Sequence, residues 1–145
     1  MKKLILVAAA VSALAVAGVA QGKGGVKQLS ATLNARQEVP KQVVSVPAAI
    51  GTFTGTLRGQ KLTWKLTFKR LSGKAMQAHI HVGARGKSGN VLVALCAPCR
   101  SGMTKTTTIS RDARDVIERG RAYVNVHTAK NPNGEIRGQV KVTDT

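Results

Sequence analysis

Acidic side chains are almost missing from this chain. Six aspartates and glutamates stand against 23 lysines and arginines, a formal net charge of +17 on 145 residues. With so few carboxylates, hydrolysis by a paired general acid and base has hardly any candidates, and no Ser-His-Asp pattern stands in for it. Aromatic residues are as scarce, at 3 %. Phe53, Trp64, Phe68 and Tyr123 are too few and too scattered to form a stacking platform for single-stranded nucleic acid, and nothing points to sequence-specific nucleic-acid binding. Histidine occurs three times and cysteine twice. After residue 20 no run is apolar and long enough to span a membrane.

What is there begins with "MKKLILVAAAVSALAVAGVA", residues 1–20. Two lysines, a short apolar core and an exit through small residues are the layout of a secretory signal peptide, with cleavage expected after Ala20 and Ala17 as a second cut; a retained N-terminal membrane anchor is the alternative. The mature protein is then expected outside the cytoplasm, in periplasm, cell wall or medium. Residues 21–27, rich in Gly and Lys, read as a flexible lead-in. Residues 28–143 are the right length for one domain. The positive charge implies attraction to acidic envelope or extracellular polymers; a merely solubilising surface is the plainer alternative.

From Gln28 onward the chain alternates apolar and polar residues. Leu29, Ala31, Leu33 and Ala35 share a face, as do Gly51, Phe53, Gly55 and Leu57. After a turn at Gly59, Leu62, Trp64, Leu66 and Phe68 point one way and Lys61, Thr63, Lys65, Thr67 and Lys69 the other, which predicts a β-hairpin. Further strands are expected at "MQAHIHVGA", "VLVALC", "TKTTTIS" and in a final hairpin turning at "AKNPNG". The stretch between Pro40 and Pro47 reads as a loop or an edge strand. A single short helix is expected near residues 111–118, capped by Ser110 and stopped by Gly120. Seven or eight strands and one helix predict an all-β fold, an antiparallel β-sandwich or flattened barrel.

Side chains two apart on a strand face the same way. His79 and His81 in "AHIHVG" therefore share one face, opposite Ala78, Ile80 and Val82. His127 in "YVNVHT" shares a face with Tyr123 and Asn125, opposite Val124 and Val126. If the two strands are neighbours, three imidazoles meet, and neutral imidazoles are good ligands for copper or zinc. The competing reading is that they are polar positions on outward strand faces, where they cap the sheet and bond to nearby backbone. With a turn at Pro132 and Asn133, His127 is expected to lie across from about Arg137. That arginine could guide a small anion to a metal, or form an outward pair with Glu135.

Cys96 and Cys99 in "LCAPCRSGM" read as a disulfide closing a very small loop. A redox C-x-x-C, and a soft copper site with Met103, are the alternatives.

The segments "LNARQEVP", "GTFTGTL", "AHIHVGARGKSGNVLVAL", "GRAYVNVHT" and "NPNGEIRGQV" resemble the CHRD domain, a family named for its repeats in chordin and found in secreted bacterial proteins. The resemblance runs from about Leu29 to Val142. It implies an all-β extracellular domain but no settled activity, and its pattern includes His79, His81 and His127 with Gly134, Glu135, Arg137 and Gly138. The His-x-His also resembles that of copper-zinc superoxide dismutases, which implies a Greek-key, superoxide-dismutase-like arrangement of the strands. The chain has no fourth histidine, so a two-metal site is excluded and a copper-only site is left. The reading favoured is a secreted, non-catalytic binding or structural module retained on acidic polymers by its charge. The alternative is a mononuclear copper (or zinc) site at His79, His81 and His127, with superoxide-type redox chemistry and Arg137 as anion guide.

Overall fold

The computed structural model describes residues 25–145. The expected leader, and the lead-in as far as residue 24, lie outside the described residues. The elements are β1 (Lys27–Asn34), a 3₁₀ turn (Ala35–Gln37), β2 (Ile50–Arg58), β3 (Lys61–Lys69), β4 (Ala75–Val82), β5 (Val91–Cys96), β6 (Met103–Thr108), α1 (Arg111–Glu118), β7 (Ala122–Thr128), β8 (Ile136–Gln139) and β9 (Lys141–Asp144). Strand pairing thus reaches one residue beyond 28–143 at each end. Residues 39–49 contribute no strand, and Val43 there is 78 % exposed.

The fold is all-β. Nine antiparallel strands form one continuous sheet in the order β5-β4-β7-β8-β1-β2-β3-β6, curled into a nearly closed barrel, with β9 also paired to β1. The last strand is split in two. Up to Gln139 it pairs with β7; at Val140 the backbone N–H turns to Ala122 O, and from Lys141 the chain runs along β1. That change of partner yields nine strands where seven or eight were expected. The connections β3 to β4 and β6 to β7 join strands that are not neighbours.

The period-two pattern sorts the two faces of the sheet. Leu29, Leu33, Phe53, Leu57, Leu62, Trp64, Leu66, Ile80, Val124, Val126 and Ile136 turn inward and are buried in one core. Full burial of such a side chain contributes about 1.5–3 kcal/mol. Helix α1 forms as expected. Ser110 Oγ accepts from Ala113 N–H at 3.1 Å, Ala113 and Ile117 are buried, and Arg114 pairs with Glu118. Its end is a Schellman motif: Gly120, at φ 67°, donates to Ile117 O and Arg121 donates to Val116 O.

No helix among the described residues is long and apolar enough to cross a membrane. Cys96 and Cys99 are joined as a disulfide, with Cα atoms 5.2 Å apart, which takes both sulfurs out of the copper-site alternative.

This two-faced sheet predicts a sharp contrast on β2. Phe53→Ala empties a core position and should cost about 3–5 kcal/mol in urea denaturation, whereas Thr54→Ala, exposed next door, should stay within about 0.5 kcal/mol.

Candidate metal centre

The outer face of β4, β7 and β8 carries a second, polar layer. Strand register sets it out in rows: His81 beside Tyr123 beside Gln139, then His79 beside Asn125 beside Arg137, then Gln77 beside His127. Glu135 immediately precedes β8 on the last row. Arg137 therefore lies across from Asn125, one row from the position opposite His127 that the turn at Pro132 and Asn133 suggested. The layer does not face solvent. Loops 83–90 and 129–135 fold over it, so His81 is 9 % exposed and His127 6 %. The histidines are therefore not outward positions, and only His79 keeps a partly open edge; the backbone bonds that the competing reading expects are nonetheless present at His81 and His127.

The three histidines meet. One ring nitrogen from each lies within 4.8 Å of the others. His79 Nδ1 is 3.2 Å from His127 Nε2. The remaining bonds fix the tautomers. His81 Nδ1 is 2.9 Å from Gly89 O, and His127 Nδ1 is 2.9 Å from Pro132 O. A carbonyl oxygen only accepts, so both Nδ1 atoms carry the proton and each neutral ring keeps its lone pair on Nε2. His81 Nε2 is buried with no hydrogen-bond partner, and so is Asn125 Oδ1. Two acceptors without donors beside a third imidazole make a place that favours a cation. Backbone carbonyls behind the ligand rings are the usual outer support of histidine metal sites.

Protonation is held off as well. Burial, then the charges of His127 and His81, lower His79 to about 4. Burial lowers His81 although Gly89 O and Asn125 push it back up, with Arg137 lowering it further. For His127 burial again leads, opposed by Pro132 O and reinforced by His81. At neutral pH all three imidazoles are therefore uncharged.

Each supporting carbonyl belongs to a loop that is itself pinned. Glu135, wholly buried, accepts from Ser72 N–H at 2.6 Å, Ser72 Oγ and Thr128 Oγ1 at 2.5 Å, and Asn131 Nδ2 at 2.9 Å. Burial pushes its carboxyl up, but these four donors outweigh that and hold it below its ordinary range. Asn131 also exchanges bonds with Val44 N–H and O. The "NPNGE" segment is thus a rigid bracket that presents Pro132 O to His127. The other loop is held by Arg137, whose Nη2 donates to Ala84 O and Lys87 O at 3.1 and 2.8 Å, and by Gln139 donating to Gly83 O. Arg137 lies 3.4 Å over the ring of Tyr123, and Tyr123 stacks on His81 at 5.0 Å. Gly89 must be glycine: a Cβ there would stand 2.0 Å from Val82 O.

Arg137 and Glu135 do not pair with each other; both are buried on separate partners. Arg137 is 1 % exposed; its Nη2 clamps the 83–90 loop and its Nη1 has no hydrogen-bond partner.

A family model for the CHRD domain matches residues 29–140. The chain belongs to the CHRD domain family. No curated protein and no solved structure matches it. The family resemblance carried by the histidine and "NPNGEIRGQ" segments is thereby met, and in this CHRD domain those segments are the two halves of one polar layer. Sequence reasoning placed Tyr123 and Asn125 on the histidine face but gave them no role. It missed Glu38 altogether, because a loop residue has no periodicity to betray its burial.

Glu38 is 1 % exposed, and neither carboxyl oxygen has a hydrogen-bond partner. It lies against Gly134, where a Cβ would come within 2.6 Å of it. Burial pushes its carboxyl from the ordinary 4.5 up to about 8, although Arg137 and the Val39 N–H pull it down. The fold therefore keeps a proton that the unfolded chain releases, and stability from this group declines as pH rises from about 4.5 to about 8. Glu38→Gln should remove that decline. Urea midpoints of native and variant should agree near pH 4 and diverge in the variant's favour toward pH 8.

Proposed function

We propose that this CHRD domain is a metal-binding module that holds one copper or zinc ion on His79, His81 and His127. The observation that carries the reading is the pair of Nδ1–H bonds to Gly89 O and Pro132 O, which put both lone pairs on Nε2: His81 Nε2 is buried with no partner, and His127 Nε2 meets only His79 Nδ1, the third imidazole of the cluster. Neutral imidazoles suit copper and zinc better than magnesium or calcium, which prefer oxygen ligands. Three protein ligands leave a coordination position open. His79, the partly exposed member, stands on the side from which an ion enters.

A second reading has its own observation. Of the six acidic residues, Glu38 and Glu135 are buried, and Asp144 and Glu118 are paired with Lys27 and Arg114. The described surface is left with almost unopposed lysines and arginines. We infer that the domain acts outside the cytoplasm, following the expected leader, and is retained there on acidic polymers. The two readings are compatible: one gives the cargo, the other the place.

Calorimetric titration of the protein with Cu(II) and with Zn(II) should find one equivalent bound. Uptake should vanish in His81→Ala and in the triple variant lacking all three histidines. Because every ligand resists protonation, with His79 lowered to about 4, binding should survive from pH 7.5 to pH 6 and weaken only at lower pH. At roughly 100 times Kd the metal should stabilise the fold by about 2.7 kcal/mol. Equal uptake by native and triple variant would end the proposal.

A further inference from the structure

A trough lies away from the histidines, where β3 runs into the loop before β4. Two adjoining cavities, of about 590 and 690 Å³, share Phe68 and Lys69. Phe68, Leu71 and Pro98 give the first an apolar floor, and the second continues over Leu33 and Ile50. The walls are cationic. Lys69, Arg70, Lys74 and Arg100 line the first cavity and Arg36 the second, and no acidic residue lines either. All five are exposed.

The backbone builds this trough deliberately. Arg70 is the one residue other than glycine with positive φ among the described residues, at 59°. Such a conformation persists only when neighbours enforce it. Here they do: Ser72, two residues on, is bound by N–H and Oγ to buried Glu135. On the opposite wall the Cys96–Cys99 disulfide closes the 96–99 turn, and Cys99 N–H donates to Ala75 O at 3.0 Å. Ser101 ties that wall to Phe68 by bonds of 2.8 and 2.9 Å.

We propose that this trough is the binding site for a strand of acidic polysaccharide. The proposal rests on the retention reading and gives it a location. A polyuronate offers a carboxylate on each sugar and an apolar C–H face on each ring, which matches a cationic rim over an apolar floor. The two cavities together are large for a small anion, and their continuity through Phe68 and Lys69 suits a chain. A single-stranded nucleic acid would ask for several aromatic faces, and only Phe68 is available. A membrane is flat and would meet a convex basic surface better than a recess.

The test uses a polygalacturonate oligosaccharide as probe, with neutral dextran and a single-stranded oligonucleotide beside it. Lys69, Arg70, Lys74 and Arg100 are replaced together by Gln; a control replaces Arg58, Lys61, Lys105 and Arg111, which are exposed elsewhere and remove the same charge. The trough variant should lose roughly tenfold or more in affinity and the control roughly threefold or less. Phe68→Ala should also weaken binding with no change in charge, and unaltered metal uptake would show that each variant is folded. Equal losses in the two quadruple variants would overturn the trough and leave retention by dispersed charge standing. No salt-sensitive binding by the native protein would overturn both. Tighter binding of the oligonucleotide than of the polyuronate would show that the occupant is wrong.

Discussion

Two hydrogen bonds to main-chain carbonyls, His81 to Gly89 and His127 to Pro132, determine what the polar layer of this domain can do. A histidine on a strand face is ambiguous. Its two nitrogens can exchange roles, and either can be silenced by a nearby donor. Here each Nδ1 proton is committed to a carbonyl, so each Nε2 is an acceptor. The sheet then brings the two strands together at a spacing that leaves the acceptors beside His79. Ligand geometry is inherited from the barrel, and tautomer from the loops.

The loops can do this only because they are rigid, and the residues that make them rigid are the buried charges. Glu135 collects four donors and braces the 129–135 segment. Arg137 holds the 83–90 segment by two carbonyls while its guanidinium rests on Tyr123. A chain with few carboxylates has placed two of them, Glu38 and Glu135, in this one layer. Glu135 also reaches Ser72 and so steadies the loop that carries Arg70 and Lys74. The candidate metal centre and the cationic trough thus share one structural brace, although one gathers acceptors and the other cations.

Much of this was legible in the residues. Alternation over "KLTWKLTFKRL" and "LSATLNA" marks strands because a half-buried sheet face demands it, and Ser110 and Gly120 mark the helix because its ends need partners. The same alternation puts His79, His81 and His127 opposite the core. It could not say that this face is covered, since coverage comes from loops whose residues have no period. Gly89 and Pro132 act through backbone oxygens, which any residue possesses, so their part in the site leaves no trace in side-chain chemistry. The expected turn at Pro132 and Asn133 forms, closed by Gly134 N–H to Asn131 O, but the register of the last hairpin was off by one row because the connection from Thr128 to Ile136 is folded around Asn131 and Glu135.

The central claim is that His81 and His127 are held as neutral Nδ1–H tautomers with their lone pairs on Nε2. Long-range proton–nitrogen NMR of the imidazoles in the metal-free protein at pH 7 tests it directly. The account predicts Nδ1-protonated, uncharged rings for both residues, with their Nε2 resonances moving on addition of one equivalent of Zn(II). Protonated Nε2 atoms, or imidazolium rings, in the metal-free protein would contradict it.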